Sequence, residues 1–170
     1  MKASPEYELA ESLIAHLRTI PELGGSVLED PWEREDQANA ISLAAAASGI
    51  ALAVMPAWPT VEAEATNAAH TARANLAVAV MATANLPGGD WAANLHAALG
   101  RTLAGVMSWQ HETSRGIPYA EARIEDIATL DLSEFQVFQN LEGAVIRLSK
   151  PVNYHCYYKT EKTTQTQKEQ

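Results

Sequence analysis

Leu76-Ala77-Val78-Ala79-Val80-Met81 is the stretch on which the fold turns. Large and small apolar side chains alternate with a period of two. That is the period of a strand, whose successive side chains point to opposite faces of a sheet. Ile50-Ala51-Leu52-Ala53-Val54-Met55 repeats the pattern upstream and is expected to end at Pro56. Ser26-Val27-Leu28-Glu29 predicts a short strand, Ile124 to Leu132 and Gly143 to Leu148 two more, and Val152 to Tyr158 a further strand-like run. Strands that follow one another in sequence favour antiparallel pairing.

The helices are marked by their ends. Ser4 is placed as an N-cap, with Pro5 at the first helical position and Glu6 and Glu8 in the first turn, where the helix dipole favours negative charge. Leu9, Leu13, Ile14 and Leu17 recur at helical spacing, which predicts a helix over Pro5 to Arg18. Gln37 to Ser48 is rich in alanine and closes on Gly49. After the turn Pro87-Gly88-Gly89, Asp90 is expected to cap the longest helix, with Trp91, Leu95, Leu99, Leu103, Val106 and Trp109 along one stripe. The resulting expectation is an α+β fold: a two-layer domain with a mostly antiparallel sheet of about four to six strands and helices packed on one face. Residues 1–158 form this single domain. Residues 159–170 form a polar C-terminal tail without apolar side chains, expected to be disordered.

Composition narrows the function. At 170 residues with 47% apolar side chains, the chain supports one hydrophobic core without a disulfide or metal. Its formal charge of −9 is unlike that of nucleic-acid binders, which need clustered Lys and Arg, so no stable nucleic-acid binding is expected. Cys156 is the single cysteine, which excludes an intrachain disulfide. The uncharged stretch Gln37 to Val61 is interrupted by Asn39, Ser42, Ser48, Gly49, Pro56 and Pro59, and reads as a helix and a buried strand, not as a membrane span.

The sequence carries no recognisable catalytic or metal-binding constellation. The histidines His16, His70, His96, His111 and His155 lack the close spacing of a helical zinc pair, so no metal or cofactor is expected. On a strand, His155 and Cys156 point to opposite faces, and Cys156 reads as a packing residue. No serine stands in a Gly-x-Ser-x-Gly elbow. Gly88-Gly89-Asp90 lacks the Lys-Ser/Thr of a phosphate loop, and the acidic loop Glu29 to Asp36 lacks the spacing and glycine of a calcium loop. No catalytic residues are assigned. What stands out is aromatic: Trp32 among charges, Trp58 between Pro56 and Pro59, and the run Tyr154, Tyr157, Tyr158. These five are the candidate subunit or partner interface, because such residues are enriched at interface centres.

The order of elements resembles the tail-terminator (tail-completion) proteins of long-tailed phages. The resemblance is carried by the helix Ala10 to Arg18, the Glu29-Asp30-Pro31 loop, the strand Asn75 to Ala82, the amphipathic helix ending Val106-Met107-Ser108-Trp109 and two closing strands, across residues 5–158. It implies a non-enzymatic virion protein. Such a subunit forms a hexameric ring with itself, caps the tail tube protein and docks to the head-tail connector, after assembly in the host cytoplasm. Another neck or head-completion protein, or a small enzyme or ligand-binding domain, stands as the alternative.

Overall fold

The computed structural model describes residues 4–29, 31, 36–62, 71–83, 91–111, 116–132, 136–138 and 140–159. Helices α1 (Pro5–Arg18), α2 (Gln37–Ser48) and α3 (Trp91–Ser108) accompany strands β1 (Ile50–Glu62), β2 (Thr71–Thr83), β3 (Arg123–Leu130) and β4 (Leu141–Val152). A short final helix, α4, covers residues 154–159. The four strands form one antiparallel sheet in the order β1-β2-β4-β3. The α+β expectation is met among the described residues, with four strands, but the helices do not all lie on one face: α2 packs on the face opposite α1 and α3.

Register explains the cores. Leu76, Val78 and Val80 of β2 stand beside Leu148, Ile146 and Ala144 of β4, and Ile50, Leu52 and Val54 join them from β1. Together they bury Leu9, Leu13, Ile14 and Leu17 of α1 and Leu95, Ala98 and Val106 of α3. The alternate positions, the small Ala51, Ala53 and Ala79 with Met81, face the other way. There they pack against Ala40 and Ala45 of α2, with Leu28. One sheet face thus carries the main helical layer, and α2 covers part of the opposite face. Alanine in the strand and alanine in the helix let α2 lie close.

Several local expectations are corrected. β1 does not end at Pro56 but runs to Glu62 through a register shift between Ala57 and Thr60. An edge strand tolerates proline because a missing N–H can face away from the ladder. Ser26 to Glu29 is not a strand: Gly24–Ser26 is a 3-10 turn, and only Val27 makes an isolated bridge, to Leu52. Val152 to Tyr158 is not a strand either. β4 stops at Val152, and Asn153 caps α4 by accepting the Cys156 amide on its side-chain oxygen at 3.0 Å. Cys156 is consequently exposed and not a packing residue. On α3 the buried stripe is shifted: Leu95 and Val106 are buried as expected, Ala98 and Thr102 join them, and Leu99 and Leu103 flank the core half-buried. Gly49 ends α2 as expected, at φ 80° with its amide on the Ala45 carbonyl at 2.7 Å. The 87–89 turn, the Asp90 cap, most of the acidic loop and residues 160–170 of the tail lie outside the described residues.

Candidate functional site

The proline-flanked end of β1 displays its tryptophan. Between Pro56 and Pro59 the strand bulges, and the Asn75 amide from β2 reaches across to donate to the Trp58 carbonyl at 2.8 Å. A bulge turns a side chain away from the ladder, and the Trp58 side chain stands 91% exposed. A tryptophan held in this way by ordered backbone is not a core residue that failed to pack.

Opposite it, α4 folds back over the start of α1. Its turn is clamped by residue 116: the Asn153 amide donates to the Gly116 carbonyl at 2.7 Å. Gly116 lies at φ +82°, and a Cβ there would meet the Asn153 carbonyl oxygen at 2.5 Å and the Tyr157 nitrogen at 2.6 Å. The Tyr154 hydroxyl donates to Glu6, and the Tyr157 hydroxyl donates to Glu8 at 2.9 Å. Burial, with the Glu6 hydrogen bond and charge next, raises the Tyr154 pKa far above the phenolic range, so its hydroxyl keeps its proton. Tyr154 and Tyr158 stack at 6.4 Å.

These elements enclose a groove of about 510 Å³ lined by Ser4, Glu6, Tyr7, Pro56, Ala57, Trp58, Pro59, Tyr154 and Tyr158. Of the five aromatic residues singled out in the sequence, the structure brings Trp58, Tyr154 and Tyr158 to this groove. Tyr157 turns inward, half-buried against the core. Trp32 lies outside the described residues. Tyr7 and Glu6 were not foreseen. Both sit in the first turn of α1, where Glu6 looked like a dipole partner alone.

A second polar constellation lies deeper in the same corner. Trp109 donates its indole N–H to Ser12 Oγ at 3.1 Å, and Ser12 Oγ also meets His111 Nδ1 at 2.9 Å. His111 Nε2 stands 3.4 Å from Glu8, and Lys150 Nζ lies 4.4 Å from the centre of the Trp109 ring. Burial lowers the Lys150 pKa from its ordinary value. A serine, histidine and carboxylate in a row outline a nucleophilic relay. Here the Ser12 hydroxyl is shared between Trp109 and His111 in a partly buried corner. The row fastens the segment after α3 to α1. Among the described residues no three His, Cys, Asp or Glu side chains cluster to hold a metal ion, and no helix is long and apolar enough to cross a membrane.

Comparison of the sequence with protein-family models and with characterised proteins finds no match.

Proposed function

We propose that this chain is a non-enzymatic assembly subunit of a phage virion, a tail terminator that forms a hexameric ring, caps the tail tube and joins it to the head-side connector. The observation that carries the reading is Trp58, 91% exposed on a bulge braced by two prolines and the Asn75 amide. Tryptophan shown to solvent by a rigid backbone suits a contact that forms after folding. The order of elements and the antiparallel α+β fold fit the resemblance described above. The sheet edges fit too, since assembly by uncontrolled edge pairing is discouraged. Pro56 and Pro59 interrupt the β1 edge, and Arg123, Glu125 and Asp126 charge the bulged β3 edge.

Native mass spectrometry of the purified protein, with electron microscopy of it mixed with tail tubes, tests this. The expected result is a mass six times the 18.4 kDa subunit and a ring at the tube end. A chain that stays monomeric at high concentration and ignores tail tubes would overturn it.

A further inference from the structure

Glu6 occupies an unusual position for a carboxylate. It is 5% exposed, yet it lines the aromatic groove. Its described partner is the Tyr154 hydroxyl on Oε1, and among the described residues no Lys, Arg or His lies within ion-pair distance of it. A buried charge without a counter-charge is costly, and such groups are normally paired. The groove that Glu6 lines is also lined by Tyr7, Trp58, Tyr154 and Tyr158. Aromatic rings beside a carboxylate form the chemistry of a cation cage: the ring faces attract a guanidinium or ammonium, and the carboxylate supplies its counter-charge.

We propose that the groove is a binding site for an organic cation, filled on assembly by an arginine or lysine side chain of a partner protein. This rests on the assembly reading above and adds the chemistry of one contact. The partner's sign follows from this chain's own balance of 12 Lys and Arg against 21 Asp and Glu. A surface this acidic attracts a basic one on a partner. The groove is also of a size to take one long side chain with its flanking backbone. Pro56 and Pro59 keep the Trp58 side of the groove in shape before binding, which lowers the ordering cost.

The test is a titration of the full chain with a short arginine peptide and its glutamine counterpart, following the Trp58 indole N–H resonance by NMR. Saturable shifts with the arginine peptide, and binding at least about tenfold weaker with the glutamine peptide, are expected. Glu6→Gln keeps an acceptor for Tyr154 and should reduce the arginine preference. Trp58→Ala alters an exposed side chain and should weaken binding without unfolding the chain. Equal response to the two peptides, no response to either, or unchanged binding by Glu6→Gln overturns the cation site. So does a groove that closes only against a second copy of the chain, seen as self-association lost in Trp58→Ala while the arginine peptide leaves Trp58 unmoved. If the protein forms rings on tail tubes but its groove ignores arginine, the cation site fails and the assembly reading stands. If arginine binds but no ring forms, the reverse holds.

Discussion

Trp109 and Trp58 are the same residue type in opposite employment. Trp109 is 2% exposed, its N–H is taken by Ser12, and the Lys150 ammonium covers its ring. Trp58 is 91% exposed, and it is the backbone beneath it, not its ring, that is secured. Each sits beside a carboxylate from α1, Glu8 for the Trp109 corner and Glu6 for the groove. In the buried corner the tryptophan holds the fold. In the groove the fold holds the tryptophan. Stability and contact chemistry are thus separated by two residues of one helix, and substitutions should divide accordingly.

The largest expected effect is at Trp109. Removing a fully buried aromatic costs about 3–5 kcal/mol, and Trp109→Ala also leaves Ser12 without its donor and Lys150 without its ring. Chemical denaturation should show a strong fall in midpoint. A loss below about 1 kcal/mol, the level of an ordinary surface change, would show that the corner is not a stability element and would break the comparison.

Gly116→Ala comes next. A residue with a Cβ at φ +82° is strained by about 1–3 kcal/mol. The clash with Asn153 and Tyr157 would then loosen α4, which serves both regions. We expect lower stability and faster proteolysis near residues 153–159. Wild-type stability in this variant would mean that α4 is held by its tyrosines alone.

A smaller, pH-dependent effect is expected at Lys150. Burial disfavours its ammonium, so the folded-state pKa lies below the ordinary 10.5. Between that lowered value and 10.5 the unfolded chain binds more protons than the folded one, and stability from this group rises with pH. Below the window both states are charged and the folded state carries the full desolvation cost. Tyr154 acts in the opposite sense above its ordinary 10.0, because its raised pKa makes the folded state keep a proton the unfolded chain loses. Subtracting Lys150→Met from wild type cancels that second effect. The difference curve should climb as pH rises from neutral toward 10.5; a flat one would show that Lys150 titrates as it does in water.

Much of this architecture was legible because periodicity and punctuation agreed. Leu76 to Met81 gave a central strand, Gly49 gave a helix end, and Leu9 to Leu17 gave the buried face of α1. What escaped was set by tertiary context. Pro56 read as a stop because position in the sheet is invisible in a local pattern, and only an edge strand can run on through it. Tyr154, Tyr157 and Tyr158 carry helical spacing and follow a capping Asn153, a signal that their high strand propensity masked. The Ser12–His111–Glu8 row joins residues about a hundred positions apart and has no local signature. Trp58 was legible as an oddity, because two prolines left it no regular face. Its neighbours Glu6 and Tyr7 were not, since the groove exists only once α1 meets the end of β1.

The smallest expected effect on stability is the most informative about function. Trp58→Ala removes a side chain with little buried area, and surface substitutions away from packed features usually fall within about ±0.5 kcal/mol. The unfolding midpoint of the isolated subunit should therefore barely move, in contrast to Trp109→Ala. If the proposed assembly holds, binding to tail tubes, measured by co-sedimentation, should fall steeply, because truncating an aromatic at an interface centre typically costs about 2 kcal/mol or more of binding. The double outcome is what matters. Lost assembly with lost stability would make Trp58 another fold-holding residue, and retained assembly with retained stability would leave its exposure without a purpose. Asn75→Ala sharpens the point, since it leaves the indole in place and removes the hydrogen bonds under the bulge, to the Trp58 carbonyl and the Thr60 hydroxyl. If rigid display of the ring is what the bulge provides, Asn75→Ala should weaken assembly in the same direction as Trp58→Ala, though less.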